Sequence, residues 1–268
     1  MSGTVRVRPA VVDGTFYPSA PASLRLALQH SFDSAAPYPS GASPAPKAIV
    51  VPHAGYQYSG PIAASAYARL GAARHTVRRV VLAGPSHRVY LRGLGLSSAD
   101  AFDTPLGLVR VDTELRDRVM GLPAVHINDA AHAYEHSLEV QLPFLQTVLD
   151  DFTFLPLSVG DATIDEVAAV LEACWGGPET LVVVSTDLSH YHPYAEAVDL
   201  DARTAAAIVG LQARRIDDMA ACGARALRGL LSVASERQLT VEQLDLRNSA
   251  DTAGGRDKVV GYGAFAIA

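Results

Sequence analysis

The sequence has few of the features that mark secreted or membrane-spanning chains. It contains only two cysteines, Cys174 and Cys222, in 268 residues, which is too few for a disulfide framework and favours the cytoplasm. No apolar stretch approaches the roughly 18–20 residues that are needed to span a bilayer. No apolar segment follows the arginines near the N-terminus, as a signal peptide would require. We therefore expect a cytoplasmic protein without a membrane anchor.

Clustered positive charge is also lacking. The formal net charge is -6, and lysine and arginine nowhere form a run. Surfaces that bind nucleic acid or anionic membranes need such clusters, so we expect neither as a partner. The composition, 49% hydrophobic and 19% charged, is typical of a chain that folds around a core and not of a disordered one.

The hydrophobic pattern alternates between strands and helices. Continuous apolar runs, typical of strands buried on both faces, predict strands at 47–51, 79–83, 152–159, 181–185 and 259–267. Helices are predicted at 20–32, 59–71, 113–120, 136–149, 163–173, 196–209, 217–221 and 224–237, and the proline-rich segment 35–46 is predicted to be a loop. This order indicates an α/β fold with a largely parallel or mixed central sheet and helices on both faces. No break in composition divides the chain, so we expect a single domain over residues 1–268.

Three of the predicted strands end in residues that can do chemistry. Strand 47–51 runs into His53, strand 79–83 runs into His87, and strand 181–185 runs into Asp187 and His190. Ligands of open α/β sheets bind beyond the carboxyl ends of the strands. Glycines and prolines beside these residues allow sharp turns that present the side chains. The pattern therefore predicts one shared site at this edge of the sheet.

The two cysteines have different sequence surroundings. Cys222 comes just before the predicted helix 224–237, where the helix dipole favours the thiolate form that binds metals or attacks electrophiles. Cys174 lies late in an apolar helix and is interpreted as a core residue. We therefore expect Cys222 to be the more reactive thiol.

A second group of polar residues lies at 132–139. His132 and His136 are four residues apart, as on one helix face, although the predicted helix begins only near His136. Two interpretations of Glu135 and Glu139 remain open at this stage. Both acids suit hydrogen bonding to site histidines, which would fix their tautomers, and both equally suit a solvated helix start.

Two common catalytic motifs are absent. The string Gly84-Pro85-Ser86-His87-Arg88 lacks the second glycine of a hydrolase nucleophile elbow. The string Gly93-Leu94-Gly95 has no third glycine and opens no predicted helix, so it is not a dinucleotide-binding motif. We therefore expect no nucleotide cofactor.

Several ordered strings resemble a known family. They are Asp13-Gly14-Thr15-Phe16-Tyr17-Pro18, Pro52-His53-Ala54-Gly55-Tyr56, Gly84-Pro85-Ser86-His87, Glu135-His136-Ser137-Leu138-Glu139, Ser185-Thr186-Asp187-Leu188-Ser189-His190, Cys222-Gly223 and Val260-Gly261-Tyr262. Nearly end to end, they resemble the Memo family (mediator of ErbB2-driven cell motility). Prokaryotic members of that family are often called AmmeMemoRadiSam system protein B.

The resemblance carries expectations about fold and site. The Memo fold resembles that of the class III extradiol dioxygenases, which are non-haem iron enzymes. By this likeness His53 and His87 are metal ligands, and Cys222 stands where the dioxygenases use a carboxylate. His190 matches their acid/base histidine, and Asp187 lies beside it. The resemblance also implies iron or copper as the metal and, through the operon-style name, a radical-SAM protein as a partner.

Three functions are compatible with these residues. The first is a metal-dependent oxidoreductase in which His53, His87 and Cys222 hold iron(II) or copper, with zinc also compatible with the sulfur ligand. In it His190 moves protons and Asp187 orients His190, while the pocket takes an unknown small molecule or peptide. The second is a non-catalytic protein that reuses the dioxygenase-like pocket to bind a metal or peptide. The third is nucleophilic catalysis by Cys222 with His190 as base.

Overall fold

The computed structural model describes residues 5–37 and 45–268. The strands are β1 Val7–Arg8, β2 Ala48–Val51, β3 Arg79–Pro85, β4 Leu94–Leu96, β5 Ala101–Phe102, β6 Val109–Val111, β7 Val125–Ile127, β8 Thr153–Val159, β9 Thr180–Ser185, β10 His190–His192, β11 Val241–Asn248 and β12 Val259–Ile267. The α-helices are α1 Pro21–Asp33, α2 Tyr56–Tyr67, α3 Thr113–Val119, α4 Ala130–Ala133, α5 Leu142–Val148, α6 Ile164–Ala173, α7 Tyr194–Val209 and α8 Ala224–Glu236.

These strands form one mixed sheet. Its centre is the parallel series β8-β3-β9-β2, with β3 hydrogen-bonded to both β8 and β9. Strand β12 pairs antiparallel with β2. Strands β10 and β11 in turn pair antiparallel with β12. On the other side β4 and β6 share the free edge of β8. Because β2, β9 and β3 are neighbours and parallel, their carboxyl ends meet at one edge of the sheet.

The central strands are buried on both faces, and their side chains alternate between two cores. On β2, Ala48 and Val50 pack into one core with α3, α6, α7 and α8. Ile49 and Val51 point the other way and pack with α1, α2 and α5. The predicted α/β fold, with a mixed sheet and helices on both faces, is therefore confirmed. The described residues contain no helix that is both long enough and apolar enough to cross a membrane.

Three predicted helices differ from the structure. Helix α2 begins at Tyr56 and not at 59, because the carbonyl of Phe16 accepts from its first N–H group. The predicted helix 136–149 is a turn and a 3₁₀ segment followed by α5, since Pro143 has no N–H and suits only the first turn of a helix. Segment 217–221 is a turn, because the Asp217 carboxylate accepts from the N–H groups of Met219 and Ala220.

The sheet also contains strands that the pattern did not predict. Strand β11 is polar and partly exposed, and it pairs with β12 along most of its length. Strand β10 has only three residues and pairs with β12 across an irregular register. Of the predicted loop 35–46, residues 38–44 lie outside the described residues.

Candidate metal centre

A cavity of about 640 Å³ lies beyond the carboxyl ends of β2, β3 and β9. Four residues singled out from the sequence line it: His53, His87, Asp187 and His190. His136 also lines it, although no ligand role was expected for this residue from the sequence. Cys222 touches this group through His53 and lines a neighbouring cavity of about 330 Å³.

Three histidines form the densest part of the site. One ring nitrogen of each of His53, His87 and His136 lies within 4.8 Å of the corresponding nitrogens of the other two. The ring centroids are 5.2 Å apart for His53 and His87 and 4.7 Å apart for His87 and His136. This spacing brings three imidazole donors from separate chain segments to one point.

Glu135 fixes the orientation of His87. Its Oε1 accepts from His87 Nδ1 at 2.9 Å, and its Oε2 accepts from the His87 backbone N–H at 2.6 Å. Burial alone would raise the pKa of Glu135, but the hydrogen bonds from His87 and from backbone N–H groups outweigh it and lower the pKa to about 2. A carboxylate that binds Nδ1–H leaves the Nε2 lone pair of the ring free.

Ser185 fixes His53 by a different route. The Ser185 hydroxyl donates to the carbonyl of Ser137 at 2.7 Å, and a carbonyl can only accept. The hydroxyl proton is thereby used, so Ser185 Oγ must accept from His53 Nδ1, 2.8 Å away. His53 is therefore protonated on Nδ1, and its Nε2 lone pair faces the Cys222 thiol, 3.2 Å away.

Gln141 holds Ser185 in this role. Its Nε2 donates both to Ser185 Oγ and to the carbonyl of Pro52, each at 2.9 Å. Its Oε1 accepts from the Tyr67 hydroxyl at 3.0 Å. Since the Pro52 carbonyl and the Tyr67 hydroxyl assign the two ends of the amide, the network has one consistent arrangement.

His136 is covered by the N-terminal part of the chain. The Phe16 ring lies against it with centroids 4.6 Å apart. Its buried Nδ1 makes no hydrogen bond in the described part of the chain, although Glu135 Oε1 lies 3.3 Å away. Burial, first of all, lowers the pKa of His136 to about 4, so the ring is neutral at physiological pH. The cluster therefore contains a third imidazole in its neutral form.

A buried ion pair between Arg8 and Glu139 clamps the segment around His136. Arg8 Nε donates to the carbonyl of His132 at 2.9 Å, and Nη2 donates to the carbonyl of Glu135 at 2.7 Å. Its Nη1 pairs with Glu139, whose side chain is 0% exposed. Glu139 also accepts from the Tyr17 hydroxyl at 2.7 Å. The chain on both sides of His136 is thus tied to the N-terminal segment.

The second polar group read from the sequence now has a clear assignment. Glu135 does bond a site histidine, as one of the two interpretations proposed. Glu139 bonds Arg8 and the N-terminal segment instead. His132 does not share a face with His136, because its Nε2 donates to the carbonyl of Gly95 at 2.9 Å.

Cys222 lies directly behind His53. Its Sγ is 3.2 Å from His53 Nε2 and also accepts from the Asp187 backbone N–H at 3.2 Å. This approach needs a glycine next in the chain, since a Cβ at Gly223 would lie 2.6 Å from the Ser185 carbonyl. Burial, followed by the charge of Asp187, raises the pKa of the Cys222 thiol to about 12. The helix start predicted a thiolate, whereas burial keeps the Cys222 thiol protonated at neutral pH in the absence of a metal. That prediction is therefore wrong.

No hydrogen bond joins Asp187 to His190, so the prediction that Asp187 orients His190 is wrong. Asp187 Oδ1 accepts from the backbone N–H of His53 at 2.7 Å, and burial raises the pKa of Asp187 to about 7. His190 Nδ1 donates to the carbonyl of Leu188 at 2.8 Å. It is thus Leu188 that orients His190, with the Nε2 lone pair left free. Burial lowers the pKa of His190, so the ring is neutral at physiological pH. Its Nε2 is therefore available to accept a proton.

The donor set fits a first-row transition metal. Imidazole nitrogens suit iron, copper and zinc, and a thiol beside them adds a soft ligand. The Nε2 lone pairs of His53 and His87 are the features that such an ion would engage. Buried hydrogen-bond acceptors hold the other nitrogens of His53 and His87, an arrangement typical of metal-binding histidines.

The fold and the site define an α/β protein with a histidine-lined pocket at the carboxyl edge of its sheet. A family model described as "Memo-like protein" matches residues 8–266 of the chain. The chain therefore belongs to the Memo family, and the resemblance drawn from its motifs is confirmed.

Relatives agree with this assignment, and a solved structure shares the fold. The chain is 34% identical to a MEMO1 family protein of Aquifex aeolicus, with 96% of this chain and 98% of that protein covered. It is also 34% identical to a MEMO1 family protein of Methanosarcina barkeri, over 97% of this chain and 100% of that protein. The solved structure of an uncharacterized protein, JW3007 from Escherichia coli K12, is similar with a TM-score of 0.53 and 16% sequence identity. It covers 81% of this chain and 98% of the other, a likeness of fold alone.

Proposed function

We propose that the pocket binds one iron(II) or copper ion, with zinc also compatible, and works as a metal-dependent oxidoreductase. His53, His87 and Cys222 hold the ion in this proposal, with His136 as a further imidazole donor. One observation carries it: three imidazoles from separate segments converge within 4.8 Å, and buried acceptors hold two of them at Nδ1. These hydrogen bonds leave the Nε2 lone pairs of His53 and His87 as the nitrogens that can bind an ion.

The residues of the pocket divide the work between binding and proton transfer. Asp187 accepts from the backbone N–H of His53 and thereby fixes the position from which the His53 side chain extends. His190, with Nδ1–H donated to Leu188, offers Nε2 to the cavity as a general base. A bound iron or copper ion would supply the redox chemistry that no side chain of the pocket supplies itself.

Metal content tests the proposal directly. Protein purified without oxygen and without chelator should contain about one iron, copper or zinc ion per chain by elemental analysis. His53→Ala, His87→Ala and Cys222→Ala should each lower the metal content and leave the far-UV circular dichroism spectrum unchanged. His75→Ala is the matched control, because that histidine is exposed and pairs with Asp150 away from the cavity. Full metal loading in the three variants would end the proposal.

The alternative is a non-catalytic protein that binds a metal or a peptide in the same pocket. In that protein the ion has no proton-transfer step for His190 to assist. The His190→Gln experiment described in the Discussion separates the two functions.

A further inference from the structure

Three of the polar side chains that line the cavity have no place in the metal centre. They are Tyr58 on α2, Tyr262 on β12 and Lys258 just before β12, and all three line the cavity. We refer to them as the tyrosine–lysine wall. Their chemistry is uniform, because two phenols and one ammonium group are all hydrogen-bond donors.

The tyrosine hydroxyls of this wall have no hydrogen-bond partner in the described part of the chain. The residue is only 2% exposed, yet its hydroxyl makes no hydrogen bond within residues 5–37 and 45–268. The ring is buried, whereas the hydroxyl itself reaches open space, where water or a ligand can pair with it. Its electrostatic neighbours are Asp187, Tyr58 and Tyr191, which all line the cavity, so the hydroxyl points there. The half-buried Tyr58 likewise has no hydroxyl partner in the described part of the chain.

The charges of the cavity point in the same direction. Lys258 is exposed at the cavity and forms no ion pair with the described residues. Asp187 is the one carboxylate among the described lining residues, and its Oδ1 is taken by the backbone of His53. The cavity therefore offers several unpaired donors and a single carboxylate, Asp187, which lies near Tyr262. Such a set matches a ligand whose oxygens accept hydrogen bonds and carry charge.

We propose that the tyrosine–lysine wall binds the anionic group of a small organic acid, while the body of that acid packs against Phe16 and Tyr191. The inference deepens the proposed function, because it names the substrate class of the same pocket. A cavity of about 640 Å³ is within the usual range for small-molecule sites. A peptide carboxylate has the same chemistry, and the experiment separates the two sources.

The test uses metal-free protein and two probes that share one ring. Benzoate carries the carboxylate, and benzyl alcohol is its neutral counterpart. In ligand-observed NMR titrations benzoate should bind at least roughly 10-fold more tightly, as expected for a charge-assisted hydrogen bond. Equal affinities, or a preference for benzyl alcohol, would overturn the proposal.

Variants of the wall locate the carboxylate. Tyr262→Phe removes only the unpaired hydroxyl and should weaken benzoate binding roughly 10-fold, with benzyl alcohol unaffected. Lys258→Met should weaken it roughly 3-fold, because exposed ion pairs contribute less. The matched controls are Tyr90→Phe, an exposed tyrosine of the neighbouring cavity, and Arg25→Met on the surface of α1. Unchanged benzoate binding in Tyr262→Phe would overturn the assignment of the wall.

A third probe tests the size of the ligand. Acetyl-Gly-Gly-Phe with a free carboxylate should bind no more tightly than benzoate, and 10-fold tighter binding would overturn the small-molecule assignment. Since no metal is present, these titrations are independent of the proposed function. Benzoate binding by a protein that never takes up metal would leave the anion site standing and remove the metal centre.

Discussion

The histidine cluster and the His190 segment line the same cavity, but they are held in place differently. Around His53 and His87 the ring nitrogens that face away from the cluster are bonded to buried acceptors. The His190 segment lies on a three-residue strand with an irregular register. Its neighbour Tyr191 is 69% exposed and has a positive φ of 62°.

The difference has an energetic meaning. A non-glycine residue in the left-handed region costs about 1–2 kcal/mol, and an exposed ring gains little from burial in return. Tyr191 therefore weakens its segment locally, whereas the cluster is supported by several buried hydrogen bonds. Backbone strain of this kind concentrates at ligand-binding sites. The comparison predicts that changes around the histidine cluster affect stability and metal affinity. Changes in the His190 segment are predicted to affect the reaction rate.

The largest expected effect is on stability, at the clamp behind the cluster. Glu139→Gln leaves the Arg8 guanidinium buried without its charge partner, and should lower the free energy of unfolding by about 3–5 kcal/mol. Urea denaturation followed by circular dichroism measures this. Glu114→Gln, at an exposed ion pair with Arg79, is the control and should cost no more than about 1 kcal/mol. Similar losses in both variants would show that the clamp gives no special support.

His190→Gln should separate rate from binding at the edge of the cavity. The variant should retain its metal, because His190 is not among the proposed ligands. Dioxygen consumption at equal metal content should fall roughly 10²-fold, the lower end of general acid–base contributions. Oxygen-electrode traces of both proteins measure it. Equal rates would favour the non-catalytic alternative, and loss of metal would move His190 into the ligand set.

Ser185→Ala should weaken metal binding without removing any ligand. It deletes the acceptor that keeps His53 protonated on Nδ1, and loss of such outer partners typically costs 10–100-fold in affinity. Competition with a chromophoric chelator measures the affinity, and ¹⁵N NMR of the metal-free variant reports the His53 tautomer. Ser235→Ala, on the exposed face of α8, is the control. An unchanged affinity together with an unchanged tautomer would contradict the role given to Ser185.

The pH dependence of metal affinity should reveal whether sulfur is a ligand. With a pKa of about 12, Cys222 is protonated at neutral pH and must lose its proton to bind the ion. Apparent affinity should therefore rise about tenfold per pH unit between about pH 7 and 9. Protonation of His53 and His136 adds no slope there, because both pKa values are lowered below that range. A flat profile in the wild type, or the same slope in Cys222→Ser, would remove Cys222 from the ligand set.

Much of the cavity could be predicted because its residues follow buried strands. Apolar runs located β2, β3 and β9, and parallel neighbours necessarily place their ends together. His53, His87 and Asp187 were found in this way, as was His190 a few residues further on. The pattern is strong because burial on both faces leaves little choice of residue type.

His136 was not predicted as a member of the cluster, because its position depends on long-range contacts. Hydrophobic periodicity suggested a helix start there, whereas the chain forms a turn stabilised by Glu135 and clamped by Arg8 and Glu139. Arg8 is distant in sequence and carries no local signal of this role. The pairing of Ser185 with Gln141 is equally invisible without the fold.

For Cys222 the position of the helix start was predicted correctly, but the direction of the pKa shift was not. The helix start is where the sequence placed it, at Ala224. The dipole of a helix contributes at most a few kcal/mol, and here desolvation has the larger influence on the thiol. Cys174, interpreted as a core residue, is fully buried, and its pKa is also raised to about 12. The two thiols therefore differ in exposure and not in acidity.

The histidine cluster joins segments of the chain that are far apart in sequence, from the end of β2, the end of β3 and the turn before α5. An ion bound there would act as a reversible cross-link between them. Ligands that bind only the folded chain add their binding free energy to its stability, about 2.7 kcal/mol at a free concentration of 100 Kd. The lifetime of such a chain against proteases would then follow the supply of metal, which makes the cluster a determinant of abundance as well as of chemistry.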